Sequence, residues 1–288
     1  MTTTAVSAKR KRFVKPAAHY VGVWARYAVL IFWCATTVFP FVWTILSALK
    51  DNRQIYGQPL ALPNPIIWGN FSSAWVGTNI IVTGMNSLIY AVSTVLFIVC
   101  IATPAAFFCA KIAKRKWLHL FFTSGIMIPV HAILIPCFVT IRDMGLYNTR
   151  WGIIIIYVAG NLSFSIFVLT AFMKSSLPDE VIEASVIDGC GPFRAFLNMV
   201  PLCKTGLATA ITFVFLGVWN EMLFAMCVLP NPALRTLNIA CISLKGQFIS
   251  DQGLLSAALV LLIVPAVIIY TLFQEQVVKG LTAGAVKG

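Results

Sequence analysis

The acidic residues of this sequence are the ones whose chemistry and spacing suggest a function. Asp and Glu together number nine in 288 residues. One short stretch holds Asp179, Glu180, Glu183 and Asp188. Another acid, Glu221, directly follows Trp219 and Asn220 in an apolar segment. The acidic stretch could offer a charged, rigid surface to a soluble partner, and the isolated carboxylate could hydrogen-bond a polar solute.

The usual catalytic and metal-binding motifs do not occur in the sequence. The eight cysteines include no CxxC pair and lie mostly in apolar segments, so we interpret them as small buried residues. The three histidines are scattered, and neither HExxH nor GxSxG is present. His131 could line a passage or bond to a neighbouring helix. We therefore predict no catalytic residue, no metal site and no cofactor bound by this chain.

The amino-acid composition indicates whether water or lipid surrounds the helices or strands that position these residues. Hydrophobic residues make up 59% of the chain and charged residues 10%, and the mean hydropathy is +0.89. These values are typical of an integral membrane protein. The net charge of +12 would suit nucleic acid only if a soluble fold carried a basic face, and no such fold is indicated. We therefore predict membrane lipid as a partner and exclude nucleic acid.

Apolar segments long enough for the roughly 20 residues of a spanning helix occur six times. They cover residues 27–49, 80–110, 117–141, 151–172, 205–229 and 253–273. None shows the alternation of an outer-membrane barrel strand, so we predict an all-α, polytopic membrane protein. The predicted divisions are a basic N-terminal segment, 1–26, a six-helix domain, 27–275, and a C-terminal tail, 276–288.

Lys and Arg predict the orientation of these helices. If both termini are cytoplasmic, the outer side holds only Lys50, Arg53, Arg142, Arg150, Arg235 and Lys245, which leaves 15 of the 21 basic residues inside. This excess of positive charge supports cytoplasmic termini. The run KRKR at 9–12 is interpreted as a topology anchor that contacts anionic lipid.

The predicted cytoplasmic loop, 175–204, is expected to form a helix, a turn and a helix. Pro178 suits the first turn, and the acids after it suit the positive end of the helix dipole. Gly189 can end the helix in the left-handed conformation, and Pro192 can begin the next one. An apolar stripe on the second helix consists of Phe193, Phe196, Leu197 and Val200. By itself, this motif could lie at the membrane interface or dock a soluble partner.

The stretch EASVIDG in this loop resembles the EAA loop of ABC-importer permeases. The matching residues are Glu183, Ala184, Asp188 and Gly189, while Ser185 replaces the second alanine. Pro201 comes one residue earlier, relative to Gly189, than the proline of the family pattern. The resemblance implies that these residues form a coupling helix that sits in a groove of a cytoplasmic ATPase.

The resemblance extends over nearly the whole chain. The segments FPFVWTILSALKD, IMIPVHAILIP, MGLYNTRWGIIIIY, VWNEMLF and GLTAGAVKG are similar to the carbohydrate branch of these permeases, which includes maltose and glycerol-phosphate importers. It implies the type I importer fold, in which a first helix wraps a five-helix core, in a bacterial inner membrane. It also implies a second, similar permease, an ATPase dimer that binds ATP and Mg, and an extracytoplasmic binding protein. Because no GxxxxGK[ST] occurs here, the chain is expected to be a transport subunit and not an enzyme.

The C-terminal tail combines glycines with small residues. The positions of interest are Gly280, Leu281, Thr282, Ala283 and Gly284. Alone, such a sequence would be a flexible terminus. The resemblance implies instead that it reaches between the two ATPase subunits, where small residues permit close backbone approach.

Glu221 is expected to face a cavity or a partner helix. An acid at a helix centre costs about 2.5 to 3.5 kcal/mol on the insertion scale, which opposes contact with lipid. With Trp219 and Asn220 it could contact the C–H face and hydroxyls of a sugar, or it could form an internal hydrogen bond that locks the fifth helix.

The combined prediction is a permease subunit of an ATP-driven importer for a sugar, oligosaccharide or related polyol. The alternatives are a permease for a non-sugar solute, an intramembrane enzyme and a passive channel. The missing catalytic motifs oppose the enzyme, and a docking loop opposes the channel.

Overall fold

The computed structural model describes residues 17–113, 115–244 and 251–285, and side chains within these ranges from residue 22 to residue 275. This part of the chain contains helices and no strand. The α-helices are α1 (Ala17–Ala48), α2 (Asn52–Gly57), α3 (Gly69–Thr78), α4 (Ile80–Phe107), α5 (Lys116–Thr123), α6 (Leu134–Asp143), α7 (Arg150–Ser176), α8 (Asp179–Ile187), α9 (Pro192–Met199), α10 (Lys204–Asn220), α11 (Leu223–Val228), α12 (Leu237–Ser243) and α13 (Gln252–Ala285). The all-α prediction is confirmed for these residues.

Five continuous helical segments are long and apolar enough to cross a membrane. They are Gly22–Ala48, Ile80–Ile112, Arg150–Ser176, Pro192–Asn220 and Gln252–Glu275. A sixth span is a bent pair, Lys116–Met127 and Val130–Asp143, whose two parts meet at 81°. The described residues therefore hold six spans when the bent pair counts as one, and these spans match the six predicted segments.

The third predicted span, 117–141, is broken and does not form one straight helix. Ile128 and Pro129 both have extended backbone, with ψ of 118° at each. Pro129 has no N–H to donate and disfavours helical geometry at the residue before it, so the helix stops there. A second break was also unexpected: α10 ends at Asn220, which interrupts the predicted helix 205–229.

Short helices between the spans were not predicted. They are α2, α3 and α12, which lie in the segments before and after predicted spans. The side chain of Asp51 starts α2 by accepting the N–H of Gln54 at 2.8 Å. The loop before α12 is held by α4, because Asn86 donates to the carbonyls of Ala233 and Arg235 at 2.8 and 3.2 Å. These polar contacts join segments that hydropathy alone cannot connect.

The centre of the bundle is formed by α4, α7 and α10, which pack on one another. Fully or nearly fully buried side chains of this core include Tyr90, Ile98, Ile153, Leu169 and Val214. The first helix, α1, packs mainly against α13 and leaves most of its apolar side chains exposed. This arrangement fits an outer helix that lies against lipid or a partner chain.

Small residues bring α7 and α10 close together. A Cβ atom added at Gly206 of α10 would lie 2.6 Å from both Cβ and Cγ of Phe172 on α7. The Cβ of Phe172 is fixed to its own backbone and cannot turn away. Close approach through glycine is a common way for membrane helices to pack.

We predict that Gly206→Ala lowers the stability of the protein. Overpacking of this kind typically costs about 1 to 3 kcal/mol. The measurement is the melting temperature of the purified chain in detergent, which should fall.

The matched control is Gly84→Ala in α4, where an added Cβ meets nothing within 4 Å. Alanine is the better helix former, so this variant should melt at the same temperature or slightly higher. Equal melting of both variants would contradict the close contact between α7 and α10.

Candidate functional site: a cavity and a charged segment

A cavity of about 600 Å³ lies between α7, α10, α11 and the bent third span. Its walls are mostly apolar and include Ile128, Val130, Ile133, Ile141, Ile156, Val218 and Phe224. Polar groups on the wall include those of Tyr157, Asn161, Ser163 and Glu221. Cavities that hold small ligands have this size and this mixture of apolar walls with a few polar groups.

Glu221 lies on the cavity wall, between the end of α10 and the start of α11. One carboxylate oxygen, Oε2, accepts the hydroxyl of Tyr157 at 2.7 Å and the N–H of Ala225 at 3.2 Å. The other, Oε1, accepts the N–H of Phe224 at 2.8 Å. The carboxylate thus satisfies N–H groups that the first turn of α11 leaves without partners. The structure contains both features expected of Glu221, the cavity and the internal hydrogen bond.

The other two residues of the predicted pathway do not line this cavity. Trp219 is 5% exposed and stacks on Phe215, with ring centroids 6.0 Å apart. It belongs to a second core cluster with residues of α12 and α13. Asn220 is exposed, and its side-chain amide donates to the carbonyl of Leu216 at 2.8 Å. The structure therefore brings only Glu221 of the three to the cavity.

Polar residues of α7 on the cavity wall were missed by the sequence analysis. Tyr157 and Asn161 are four residues apart and so lie on one face of the helix. The amide of Asn161 donates to the carbonyl of Tyr157 at 2.8 Å. An Asn within an apolar span, one helical turn from a Tyr, was the signal that could have found this face. His131, in contrast, is exposed beside the break of the third span.

The segment 175–204 forms the expected helix, turn and helix. Its first helix, α8, begins directly after Pro178. Gly189 ends it with φ of +75°, the left-handed conformation that glycine adopts without steric cost. The second helix, α9, begins at Pro192. Of the residues that match the EAA pattern, Glu183, Ala184, Asp188 and Gly189 are exposed, and Ser185 is half-buried.

The buried face of α9 differs from the predicted stripe. Ala195 and Met199 are buried, whereas Phe193 and Leu197 are 73% and 52% exposed. Phe196 packs edge to face on Phe107 of α4, with ring centroids 5.5 Å apart. Because α9 lies against α4 on this side, its buried face is rotated away from Phe193 and Leu197.

Lys111 links the charged segment to the end of α4. Its Nζ lies 2.9 Å from Oδ1 of Asp179 and also donates to the carbonyl of Leu177. The Lys111 side chain is 5% exposed, so this ion pair is half shielded from solvent. Residues Phe108–Ile112 form a π-helical turn that places Lys111 toward α8. Lys111 is one of the basic residues that predict the orientation, and its partner 68 residues away is not visible in the sequence.

The C-terminal residues continue α13. This helix runs without a break from Gln252 to Ala285, so residues 280–284 form its last turns. The predicted boundary between residues 275 and 276 lies inside the helix. Residues 286–288 are outside the described part of the chain. Whether these turns contact a partner stays a prediction.

No group of three or more His, Cys, Asp or Glu side chains in the described residues could hold a metal ion. The candidate site has two separate parts. One is the apolar cavity that contains the Glu221 carboxylate, and the other is the acidic helix α8 at the end of the bundle.

Comparison with known proteins places this arrangement in a family. The family model described as "Binding-protein-dependent transport system inner membrane component" matches residues 98–283. The chain is 32% identical to the diacetylchitobiose uptake system permease protein NgcG of Streptomyces coelicolor, over 90% of this chain and 87% of that one. It is also 32% identical to the sulfoquinovosyl glycerol transport system permease protein SmoH of Agrobacterium fabrum, over 87% and 89% of the two chains.

A solved structure shares the fold. It is the crystal structure of a bacterial ABC transporter involved in the import of the acidic polysaccharide alginate, and its matched chain is 19% identical with a TM-score of 0.79. The match covers 91% of this chain and 98% of that chain. Since the family model spans well over half of the sequence and relatives match nearly all of it, the chain belongs to the inner-membrane components of binding-protein-dependent transport systems.

Proposed function

We propose that this chain is the permease subunit of an ATP-driven importer whose solute is a sugar, oligosaccharide or related polyol. The observation that carries the solute class is the cavity of about 600 Å³ in which a carboxylate, a phenol and an amide meet apolar walls. Hydroxyls of a sugar need such polar partners, and its C–H faces suit apolar side chains. Relatives named for diacetylchitobiose and sulfoquinovosyl glycerol transport support the same class.

We propose three kinds of partner for this chain. A second, similar permease would complete the solute path, an extracytoplasmic binding protein would deliver the solute, and a cytoplasmic ATPase dimer would bind ATP and Mg. The termini would be cytoplasmic, since 15 of the 21 basic residues then lie inside. This subunit would carry the solute and leave hydrolysis to the ATPase.

The surface of α8 and α9 supports docking of the ATPase. Besides its carboxylates, it exposes Val186, Ile187 and Phe193 to 63%, 85% and 73%. Apolar side chains exposed together and rimmed by charges are typical of a protein interface. Because anionic lipid would repel the exposed carboxylates of α8, docking of a soluble partner is favoured over a segment that merely lies on the membrane.

Two contacts connect this surface directly to a spanning helix. Phe196 of α9 rests on Phe107 of α4, and Asp179 of α8 is paired with Lys111 at the end of the same span. Movement of α8 with the ATPase would therefore move α4 as well. α4 packs on α7, which lines the cavity, so closure of the ATPase dimer can change the side from which the cavity opens.

The overall proposal is tested by solute uptake into vesicles that contain the complete complex and the binding protein. We expect accumulation of an oligosaccharide only when ATP is inside with the ATPase. Entry without ATP that stops at equal concentrations inside and outside would support a passive channel, and ATP-driven uptake of a non-sugar solute alone would overturn the solute class.

We predict that Gly189→Val weakens ATPase docking and abolishes uptake while the chain still enters the membrane. Left-handed backbone costs a β-branched residue at least about 1 to 2 kcal/mol, so the turn after α8 should change shape. An added Cβ at Gly189 meets nothing within 4 Å, so the effect comes from the backbone alone. The measurements are the yield of co-purified ATPase and the uptake rate.

Gly191→Val is the matched control for this substitution. Gly191 also has nothing within 4 Å of an added Cβ, but its φ is −67°, which valine adopts readily. It should keep both docking and uptake. Normal docking and uptake by Gly189→Val would contradict the proposed role of the turn.

We predict that Glu221→Leu destabilises the chain, because the Tyr157 hydroxyl and two N–H groups lose their acceptor. Each buried group left unsatisfied costs about 1 to 3 kcal/mol. Glu221→Gln keeps an acceptor but removes the charge. If Glu221 contacts solute, Glu221→Gln should lower uptake affinity with assembly intact.

Tyr157→Phe is the control for Glu221, since it removes one hydrogen bond and keeps the carboxylate. Its melting temperature should fall less than that of Glu221→Leu. If Glu221→Gln transports normally and Glu221→Leu fails to assemble, the carboxylate is structural, and its place in the solute path is rejected.

We propose that the tail residues Gly280, Leu281, Thr282, Ala283 and Gly284 contact the ATPase dimer. Removal of residues 281–288 deletes no span and one charge, Lys287, so insertion should survive. We predict that uptake per assembled complex falls well below that of the full chain. Equal uptake per complex would show that the tail is a free terminus.

A further inference from the structure

A second cavity, of about 440 Å³, lies at the end of the bundle that carries α8. It is an open pocket bordered by the π-helical turn after α4, the start of α5, the end of α7 and the start of α8. Basic side chains on its wall are those of Lys111, Arg115, Lys116 and Lys174. This basic pocket is separate from the cavity that contains Glu221, because the two share no lining residue.

Positive charges outnumber negative charges on the described wall of the basic pocket. Asp179 is the only acid on its described wall, and its carboxylate lies 2.9 Å from Nζ of Lys111. In the described part of the chain, Arg115, Lys116 and Lys174 have no carboxylate within 4.0 Å. These three residues are exposed around the pocket. Like charges near one another repel, and an anion between them would relieve that repulsion.

His119 gives an independent indication of a missing partner. Its ring lines the pocket and stacks on Phe167 of α7, with centroids 6.3 Å apart and planes at 16°. Its Nδ1 atom is buried, yet it has no hydrogen-bond partner among the described residues. Buried polar atoms are nearly always hydrogen-bonded, so Nδ1 of His119 is one of few exceptions among the described residues. As an N–H donor, Nδ1 could bond an anionic oxygen.

We propose that the basic pocket binds a phosphate-bearing anion. Arg115 can offer two parallel N–H donors to one phosphate, and Lys116 and Lys174 add charge from two other sides. Leu120 also lines the pocket and is 65% exposed beside it, next to Phe121 at 67%. The headgroup of an anionic phospholipid fits this arrangement, with its acyl chains along α5, and basic pockets between membrane helices bind such headgroups. Free phosphate shares the chemistry of the headgroup.

The basic pocket lies beside the contact that joins the spans to α8. The Lys111–Asp179 pair forms one wall, and the same pair joins α4 to α8. An anion held here therefore contacts the junction between the spans and the segment proposed to dock the ATPase. The binding itself does not depend on that docking, so the two proposals can fail separately.

The test uses the purified full-length chain in a neutral detergent, with binding measured by native mass spectrometry. The probes are dioleoylphosphatidylglycerol, zwitterionic dioleoylphosphatidylcholine and inorganic phosphate. We expect phosphatidylglycerol to bind much more tightly than phosphatidylcholine. Removing two of the cations in Arg115→Gln/Lys174→Gln should weaken phosphatidylglycerol binding about thirtyfold, taking about 1 kcal/mol for each basic residue.

Two variants keep the result interpretable. Arg115→Lys/Lys174→Arg retains both charges and should bind like the unaltered chain, even if the glutamine variant folds poorly. Arg26→Gln removes an exposed cation of α1, outside the pocket, and should also bind normally. If inorganic phosphate competes equally well, the occupant is a free phosphate. Absence of binding by both anionic probes, or equal loss in Arg26→Gln and in the double glutamine variant, would overturn the proposal.

Discussion

Lipid provides no hydrogen-bond partners, so the polar groups where a spanning helix breaks must be satisfied by the protein itself. Glu221 meets this constraint with three donors: the Tyr157 hydroxyl and the N–H groups of Phe224 and Ala225. The same three bonds fix where α10 ends, where α11 begins and how α7 lies beside both. The cavity exists because these helices meet at a break and not along a continuous packed face.

In the proposed mechanism, contacts within the protein connect the surface of α8 and α9 to the cavity. At one end, α8 and α9 expose carboxylates and large apolar side chains that are costly to leave in water. At the other end, the cavity lies against α7. Between them, the span Ile80–Ile112 carries both the Phe107 contact to α9 and the Lys111 contact to α8. In the proposed mechanism, one span would receive movement from the charged segment through an apolar contact and an ion pair.

The sequence predicted the spans well, because hydropathy over about 20 residues depends only on local composition. It also predicted α8 and its turn, since Pro178 and Gly189 act through their own backbone geometry. The breaks were not predictable in the same way. Pro129 lies at a break, but Pro40, Pro104 and Pro265 lie inside continuous helices, so proline alone does not indicate one.

Other features depend on neighbours far away in the chain. The buried face of α9 could not be read from its apolar stripe, because most positions of this helix are apolar and contact with Phe107 selects one side. Trp219 and Glu221 are two residues apart, yet they lie in different environments because α10 ends between them. The partner of Lys111 is likewise set by the fold, which brings the turn after α4 to the start of α8.

The central claim is that one cavity opens alternately to the two sides of the membrane as the ATPase closes. Cys137 lines that cavity and serves as a reporter when the other cysteines are replaced by alanine. The measurement is its labelling by a membrane-impermeant maleimide, applied from either side of vesicles that contain the complete complex. We predict labelling from the cytoplasmic side without nucleotide, and from the outer side when ATP holds the ATPase dimer closed. Labelling from the same side in both states would contradict the account.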